Sequence, residues 1–216
     1  MRQFDLHEFL GYIAPGMLLL VGIRCIWPDA EKVLPVSSIT FGGFGIGVVL
    51  AYAAGQLLQT LGNGIEKAWW GLWSGMPTDW LRTGKHELVA PEQSVRVEAK
   101  IKRMLANESF DISGISAKHW YSIIRQVYAA VAGAGRGTRI DVFNGHYGLC
   151  RGMAASLLVL VVCNLVTNLP AWKIHILLII LVGLSVFRMH QFGVRYGREV
   201  FVQFLELSDR QDRRDG

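Results

Sequence analysis

The stretch GFGIGVVLAYAAGQ, residues 43–56, decides the fold because it is largely apolar and has a small residue at every fourth position. These small residues are Gly43, Gly47, Ala51 and Gly55, which lie on one stripe of a helix. A glycine inside an exposed helix costs roughly 1 kcal/mol relative to alanine, so such a helix would be weak in water. In lipid, small residues allow two helix backbones to approach closely. The pattern predicts a membrane helix with this stripe at a helix–helix contact, either within the chain or between copies.

Uncharged runs extend the same interpretation to the rest of the chain. No charged residue occurs among the 33 positions of 33–65 or the 21 positions of 152–172. A spanning helix needs about 20 apolar residues, so each run is long enough to cross a membrane. Shorter uncharged runs at 9–23 and 174–187 predict one further span each. We expect an all-α polytopic membrane protein with four transmembrane helices in two hairpins, and two or three spans are the alternative.

The distribution of Lys and Arg predicts the orientation and the domains. Twelve Lys and Arg residues lie between residues 64 and 151, and such an excess marks the cytoplasmic side of a membrane. Both termini and this segment are therefore expected in the cytoplasm, with the spans in a bacterial inner (plasma) membrane. The predicted segments are transmembrane hairpin 1 at 1–62, a small basic helical cytoplasmic domain at 63–151, transmembrane hairpin 2 at 152–190, and an amphipathic C-terminal helix with its tail at 191–216.

The sequence of the inserted domain predicts short helices that follow a tryptophan cluster. Trp69, Trp70, Trp73 and Trp80 are typical of the headgroup layer, where the ring is apolar and the N–H is in water. Pro91 and Glu92 favour a helix start. A second helix follows a serine cap in SGISAKHW and ends at glycine, and its apolar positions are Trp120, Ile123, Ile124, Val127 and Val131. The last nine residues, 208–216, are predicted to be disordered.

Basic side chains in this domain are the candidates for contact with an anionic ligand. They are Arg96, Lys100, Lys102, Arg103, Arg136 and Arg139. The first four cluster on one predicted helix, where an i, i+4 face can follow a phosphate backbone. The last two flank a predicted helix N-terminus at Thr138, whose free amides favour anions, and a flexible connector is the alternative for this segment. Nucleic acid, a nucleotide signal or anionic lipid is the expected ligand, and charge that only sets topology is the alternative.

Polar residues are sparse in the predicted spans. Gln56, Gln59 and Asn164 are the pore candidates if several copies enclose a path. The predicted spans contain no Asp or Glu, which argues against a proton-coupled pump. Cys25, Cys150 and Cys163 follow no metal-binding spacing, so we expect no metal and no cofactor.

This layout resembles the small multi-span membrane effectors, channels and pores among them, of prokaryotic antiviral defence systems. The resemblance covers most of the chain and carries over no functional residue. It implies an oligomeric channel or membrane-disrupting effector whose basic cytoplasmic domain senses nucleic acid or a nucleotide signal. A membrane anchor or scaffold that recruits a cytosolic protein is the first alternative.

Arg139 and His146 give the second alternative. Their spacing is similar to the R-x(4–6)-H motif of the HEPN ribonucleases, in which Arg and His act on RNA phosphodiesters. Ile140 stands where that family usually has a polar residue, and Gly145 and Gly148 flank the histidine. These departures put the nuclease in doubt, and we do not expect an enzyme.

Overall fold

The computed structural model describes residues 6–27, 41–167 and 172–207, and within them every regular element is an α-helix. The helices are α1 (Leu6–Ile26), α2 (Phe41–Leu72), α3 (Pro77–Thr83), α4 (Pro91–Met104), α5 (Ala117–Gly133), α6 (Thr138–Val166) and α7 (Trp172–Leu205). The all-α prediction is confirmed for this part of the chain. The tail at 208–216, predicted to be disordered, lies outside the described residues.

Three helices, α2, α6 and α7, are long and apolar enough to cross a membrane. Their composition supports a membrane location. In α1, the stretch Gly11–Ile26 is also apolar but is shorter than these three helices. The fourth span, the hairpin arrangement and the orientation stay predictions.

The described residues form two compact units. Unit 1 comprises those within Met1–Ala68 and Gly145–Gln191, and unit 2 comprises those within Trp69–Asn144 and Phe192–Gly216. Helices α2, α6 and α7 each contribute residues to both units. The predicted segment ends at residues 62, 151 and 190 therefore lie inside continuous helices.

Small residues bring α1 and α2 into backbone contact within unit 1. A Cβ atom on Gly16 would overlap the carbonyl oxygen of Ala51, and one on Gly55 would overlap the carbonyl oxygen of Tyr12. Any side chain at either glycine would force the two helices apart. Half of the predicted stripe, Ala51 and Gly55, thus lies at a helix–helix contact inside the chain.

The other half of the stripe has no such contact in the described structure. A Cβ atom on Gly47 would have no described atom of the chain within 4 Å. Gly43 belongs to residues 41–44, whose side-chain surroundings are outside the described part of the molecule. For these two glycines, a contact between copies stays a prediction.

Helix α5 supplies the core of unit 2. Its buried residues are the five predicted from its periodicity: Trp120, Ile123, Ile124, Val127 and Val131. The helix begins after Ser116, whose hydroxyl accepts a hydrogen bond from the His119 backbone N–H at 3.3 Å. The indole N–H of Trp120 donates to the carbonyl of Thr78 at 2.9 Å and ties α5 to α3. The predicted start of α4 at Pro91 is also confirmed.

The tryptophan prediction is wrong for two of the four residues. Trp70 and Trp80 are only 3% and 5% exposed, and their rings meet edge to face at 6.2 Å. The indole N–H of Trp80 donates to the carbonyls of Trp73 and Gly75, at 3.1 and 3.2 Å. Because backbone carbonyls satisfy this N–H, the ring packs in the interior of unit 2 without needing water.

Candidate functional site: the two polar faces of α2

Helix α2 carries polar side chains on two different faces within unit 1. Buried Leu58 and Gly62 mark the face that packs against the rest of the unit, and Gln59 and Glu66 lie beside them. A second set of polar residues is exposed on a different side of the same helix. The two sets differ in what they contact.

The inward face holds a polar network between α2 and α6. The Arg151 guanidinium donates through Nε and Nη2 to Gln59 Oε1, at 3.1 and 2.8 Å, and pairs through Nη1 with Glu66. The amide nitrogen of Gln59 donates to the carbonyl of Gly148 at 3.3 Å. A Cβ atom on Gly62 would lie 2.9 Å from Arg151 Cγ, so the glycine leaves room for the arginine stem.

This network has a structural consequence for the predicted pore residues. A charge removed from water needs a partner and further hydrogen bonds, and Glu66 and Gln59 supply both to Arg151. Gln59 therefore contributes to helix packing within the chain. The sequence analysis had not paired Glu66 with Arg151, although each of them ends one of the long uncharged runs.

The outward face carries the outer polar stripe, which we define as Tyr52, Gln56, Thr60 and Asn63. All four side chains are exposed, and their spacing of four, four and three positions keeps them on one side of the helix. Gln56 donates to the Tyr52 hydroxyl at 3.0 Å. Lys67, also exposed, continues the same line by four positions.

The position of the outer polar stripe along α2 sets its depth if this helix crosses a membrane. If Glu66 and Lys67 mark the edge of the apolar layer, a rise of 1.5 Å per residue puts Gln56 about 15 Å deeper. That is half of a hydrocarbon core of about 30 Å. Among the three pore candidates, Gln56 is the exposed one.

Asn164 links α6 to α7 in unit 1. It is 1% exposed, and its amide nitrogen lies 3.3 Å from Nδ1 and 3.4 Å from Nε2 of His175. Its Oδ1 atom is buried and has no hydrogen-bond partner among the described residues. This pore candidate is enclosed by its own chain, whereas Gln59 is partly exposed.

The predicted anion-binding residues of α4 have unequal surroundings. Lys100 donates to the carbonyls of Leu205, at 3.4 Å, and Leu207, and its ammonium lies 5.4 Å from the centre of the Phe204 ring. These contacts stabilise the C-terminal end of α7, where carbonyls lack helix partners. Lys102 pairs with Glu98 at 3.0 Å.

The other two residues predicted on this helix, Arg96 and Arg103, are exposed, and Lys102 lies beside them. Arg136 and Arg139 are exposed at the connection from α5 to α6. The structure thus places the six predicted residues in two groups within unit 2, one on each of these elements.

The start of α6 already has its own acidic residue. Asp141 lies in the first turn, where a carboxylate is favoured by the helix dipole. Tyr128 donates to Asp141 Oδ1 at 2.5 Å, and this hydrogen bond, with a smaller effect of burial, raises the pKa of Tyr128 to about 12. Arg139 lies 3.4 Å from Glu199 Oε1. An anion bound at this N-terminus would therefore meet two carboxylates as well as Arg136.

Both residues of the predicted nuclease motif lie on α6, seven positions apart. Arg139 belongs to unit 2 and pairs with Glu199, whereas His146 is an exposed residue of unit 1. No cluster of three or more His, Cys, Asp or Glu side chains suited to a metal occurs in the part of the chain that the structure describes. Cys25, Cys150 and Cys163 are free thiols.

Comparison with known proteins gives no relative from which to assign a role. No protein-family model, curated protein or solved structure matches this chain.

Proposed function

We propose that the protein is a subunit of a homo-oligomeric inner-membrane assembly that acts as a channel or as a membrane-disrupting effector. The proposal includes four spans in two hairpins, with both termini and unit 2 in the cytoplasm. Three apolar helices of sufficient length support the membrane location. The observation that carries the proposal is the outer polar stripe of α2.

Lipid cannot satisfy this stripe. The Gln56 side chain has an amide with two donors and a carbonyl oxygen, and the described residues offer it the Tyr52 hydroxyl. An unsatisfied polar group in the hydrocarbon layer costs several kcal/mol. Thr60 and Asn63, one and two turns along, add to that cost. Another protein surface or water must therefore cover this side of α2.

Copies of the same chain are the covering surface that we infer. Helix α2 exposes Leu57 and Leu61 beside the stripe, and they form a separate apolar face suited to lipid. The helix therefore has one face that packs against its own chain, one apolar face suited to lipid, and one exposed polar face. A few helices of one chain cannot enclose a water-filled path, whereas a ring of copies can surround one with these polar faces.

Unit 2 is the proposed sensor of an anionic ligand. Arg96 on α4 and Arg136 before α6 have exposed side chains. Both are arginines, which suit phosphate recognition because the guanidinium is planar and always charged. The proposed ligand is a nucleic acid or a nucleotide signal, in keeping with a role in antiviral defence.

The test is the mass of the protein in lipid nanodiscs, combined with salt flux from liposomes. We expect a multimer and measurable flux. Gln56→Leu with Thr60→Val should abolish flux, because it removes the polar surface that water needs. Leu57→Val on the lipid face is the matched control and should keep both properties. A monomer in nanodiscs would overturn the proposal.

A membrane-anchored scaffold is the second candidate. The observation in its favour is that Lys102 and Arg139 pair with carboxylates within unit 2, which neutralise part of the basic charge. The ammonium of Lys100 is also engaged, by backbone carbonyls. A scaffold predicts a stable complex with a cytosolic protein and no flux. Flux from liposomes that contain this protein alone would exclude it as the main function.

A further inference from the structure

Charge is distributed unevenly over unit 1. Within residues 11–27, 45–68, 145–167 and 172–191, Glu66 is the one acidic residue. The same ranges contain five basic residues: Arg24, Lys67, Arg151, Lys173 and Arg188. The ion pair of Glu66 with Arg151 neutralises the acid. These four ranges of unit 1 therefore carry a net positive charge.

The outer polar stripe ends on one of these positive charges. Lys67 is exposed and lies one turn beyond Asn63, whereas its neighbour Glu66 faces inward with about a fifth of its side chain exposed. Consecutive residues of a helix point about 100° apart, which accounts for the separation. The stripe itself contains donors and acceptors without a negative charge.

We propose that the path surrounded by the outer polar stripes selects small inorganic anions, and that Lys67 provides the charge at its inner mouth. This inference rests on the proposed channel function. Copies around an axis would form a ring of lysines, and Lys and Arg rings are the usual basis of anion selectivity. Low-dielectric walls strengthen the field of such a ring. The amide and hydroxyl donors of Gln56 and Thr60 replace part of the hydration shell of an anion.

The placement of Lys67 has a second explanation. Lys and Arg concentrate at the cytoplasmic ends of membrane helices for topological reasons alone. A topological lysine at the lipid interface and a lysine at the mouth of a path differ in their effect on ion selectivity. The experiment therefore measures selectivity and not expression or orientation.

The experiment reconstitutes the full chain in planar bilayers with unequal KCl on the two sides and records the reversal potential. We expect the potential to lie toward the chloride equilibrium value. Lys67→Glu should move it to the potassium side, and Lys67→Gln should bring it closer to zero. Lys118→Glu, which makes the same charge change at an exposed position of α5 in unit 2, should leave the reversal potential unchanged. Size-exclusion profiles matching the unmodified protein verify that each variant assembles.

The outcomes distinguish a failure of the anion selectivity from a failure of the proposed channel function. Currents that prefer potassium, or that keep their chloride preference in Lys67→Glu, overturn the anion path while the channel stands. Absence of current together with a monomeric mass overturns the channel and the anion path together.

Discussion

Glu66 of α2 pairs with Arg151 of α6, and each side chain is 21% exposed. The pair has a neighbour in Gln59, which accepts two hydrogen bonds from the same guanidinium. Arg151 and Glu66 are 85 positions apart in the chain, so these bonds join two helices that are distant in sequence. The arrangement fixes the register of α2 on α6 within unit 1.

Arg151→Met should destabilise the protein by about 1–3 kcal/mol, because it leaves the Glu66 carboxylate and Gln59 without their donor. Adding Glu66→Leu should recover part of the loss, since a buried pair can be replaced by apolar residues more easily than it can be broken. Unfolding in mild detergent measures both. Lys67→Met, which removes an exposed charge next to Glu66, is the control and should change stability by less than about 0.5 kcal/mol. Equal losses in the single and double variants would contradict the coupling.

Gly55→Ala should disrupt the contact between α1 and α2, because the new methyl group overlaps the carbonyl oxygen of Tyr12. Gly45→Ala on the same helix meets open space, and should raise stability by up to about 1 kcal/mol through helix propensity. The unfolding temperature of the monomeric fold distinguishes the two. Similar effects at both positions would show that the backbones of α1 and α2 are not in contact.

Gly47→Leu separates packing inside the chain from packing between copies. No described atom of the chain lies near a Cβ at this position, so we expect the fold to keep its stability. If Gly47 contacts a second copy, the larger side chain should lower the copy number in nanodiscs. An unchanged copy number would remove Gly47 from the interface and leave Ala51 and Gly55 as the functional part of the stripe.

The parts of the fold that depend on local pattern were predictable. The core face of α5 follows from apolar spacing near 3.6 residues, and the start of α4 follows from Pro91. Helix identity and the long apolar runs likewise depend on neighbours in sequence. These predictions needed no knowledge of which helices pack together.

The direction of individual polar side chains was not predictable. Gln56 and Gln59 are three positions apart in one uncharged run, yet one is exposed and the other bonds to Arg151. Which face is enclosed depends on α6, which follows at a long sequence distance. Lys100 is a similar case, because its carbonyl partner at Leu205 is 105 positions away. The residues next to Lys100 in the sequence, taken alone, indicated a basic surface.

The hydrogen bond from Tyr128 to Asp141 predicts a loss of stability at high pH. The pKa of Tyr128 is raised to about 12 in the folded state, compared with an unperturbed value of about 10. The neutral phenol is therefore favoured by folding, and its contribution is complete below pH 10 and is lost as the pH rises toward 12. Tyr128→Phe should remove this part of the decline between pH 10 and 12 in unfolding experiments. Tyr121→Phe, which removes a hydroxyl outside this bond, is the control. An identical decline in stability in the unmodified protein and both variants would contradict the role of the Tyr128 hydrogen bond.

The proposed anion-sensing role of unit 2 leads to the last prediction, which compares lysine and arginine positions. Each phosphate contact by a basic side chain should add about 0.7–0.9 to the slope of log affinity against log salt. Arg96→Gln and Arg136→Gln should therefore each weaken binding of a single-stranded oligonucleotide or nucleotide and flatten that slope.

Lys100→Met is the matched control because its ammonium already donates to the carbonyls of Leu205 and Leu207. It should leave the salt slope unchanged and lower the unfolding free energy by about 1 kcal/mol, the usual net value of such hydrogen bonds. The readouts are fluorescence anisotropy at several salt concentrations and unfolding in detergent. If Lys100→Met flattens the slope while Arg96→Gln and Arg136→Gln do not, the ligand binds at the end of α7. If neither the oligonucleotide nor the nucleotide binds at low salt, the basic residues serve topology alone, and the proposal of an anion sensor is overturned.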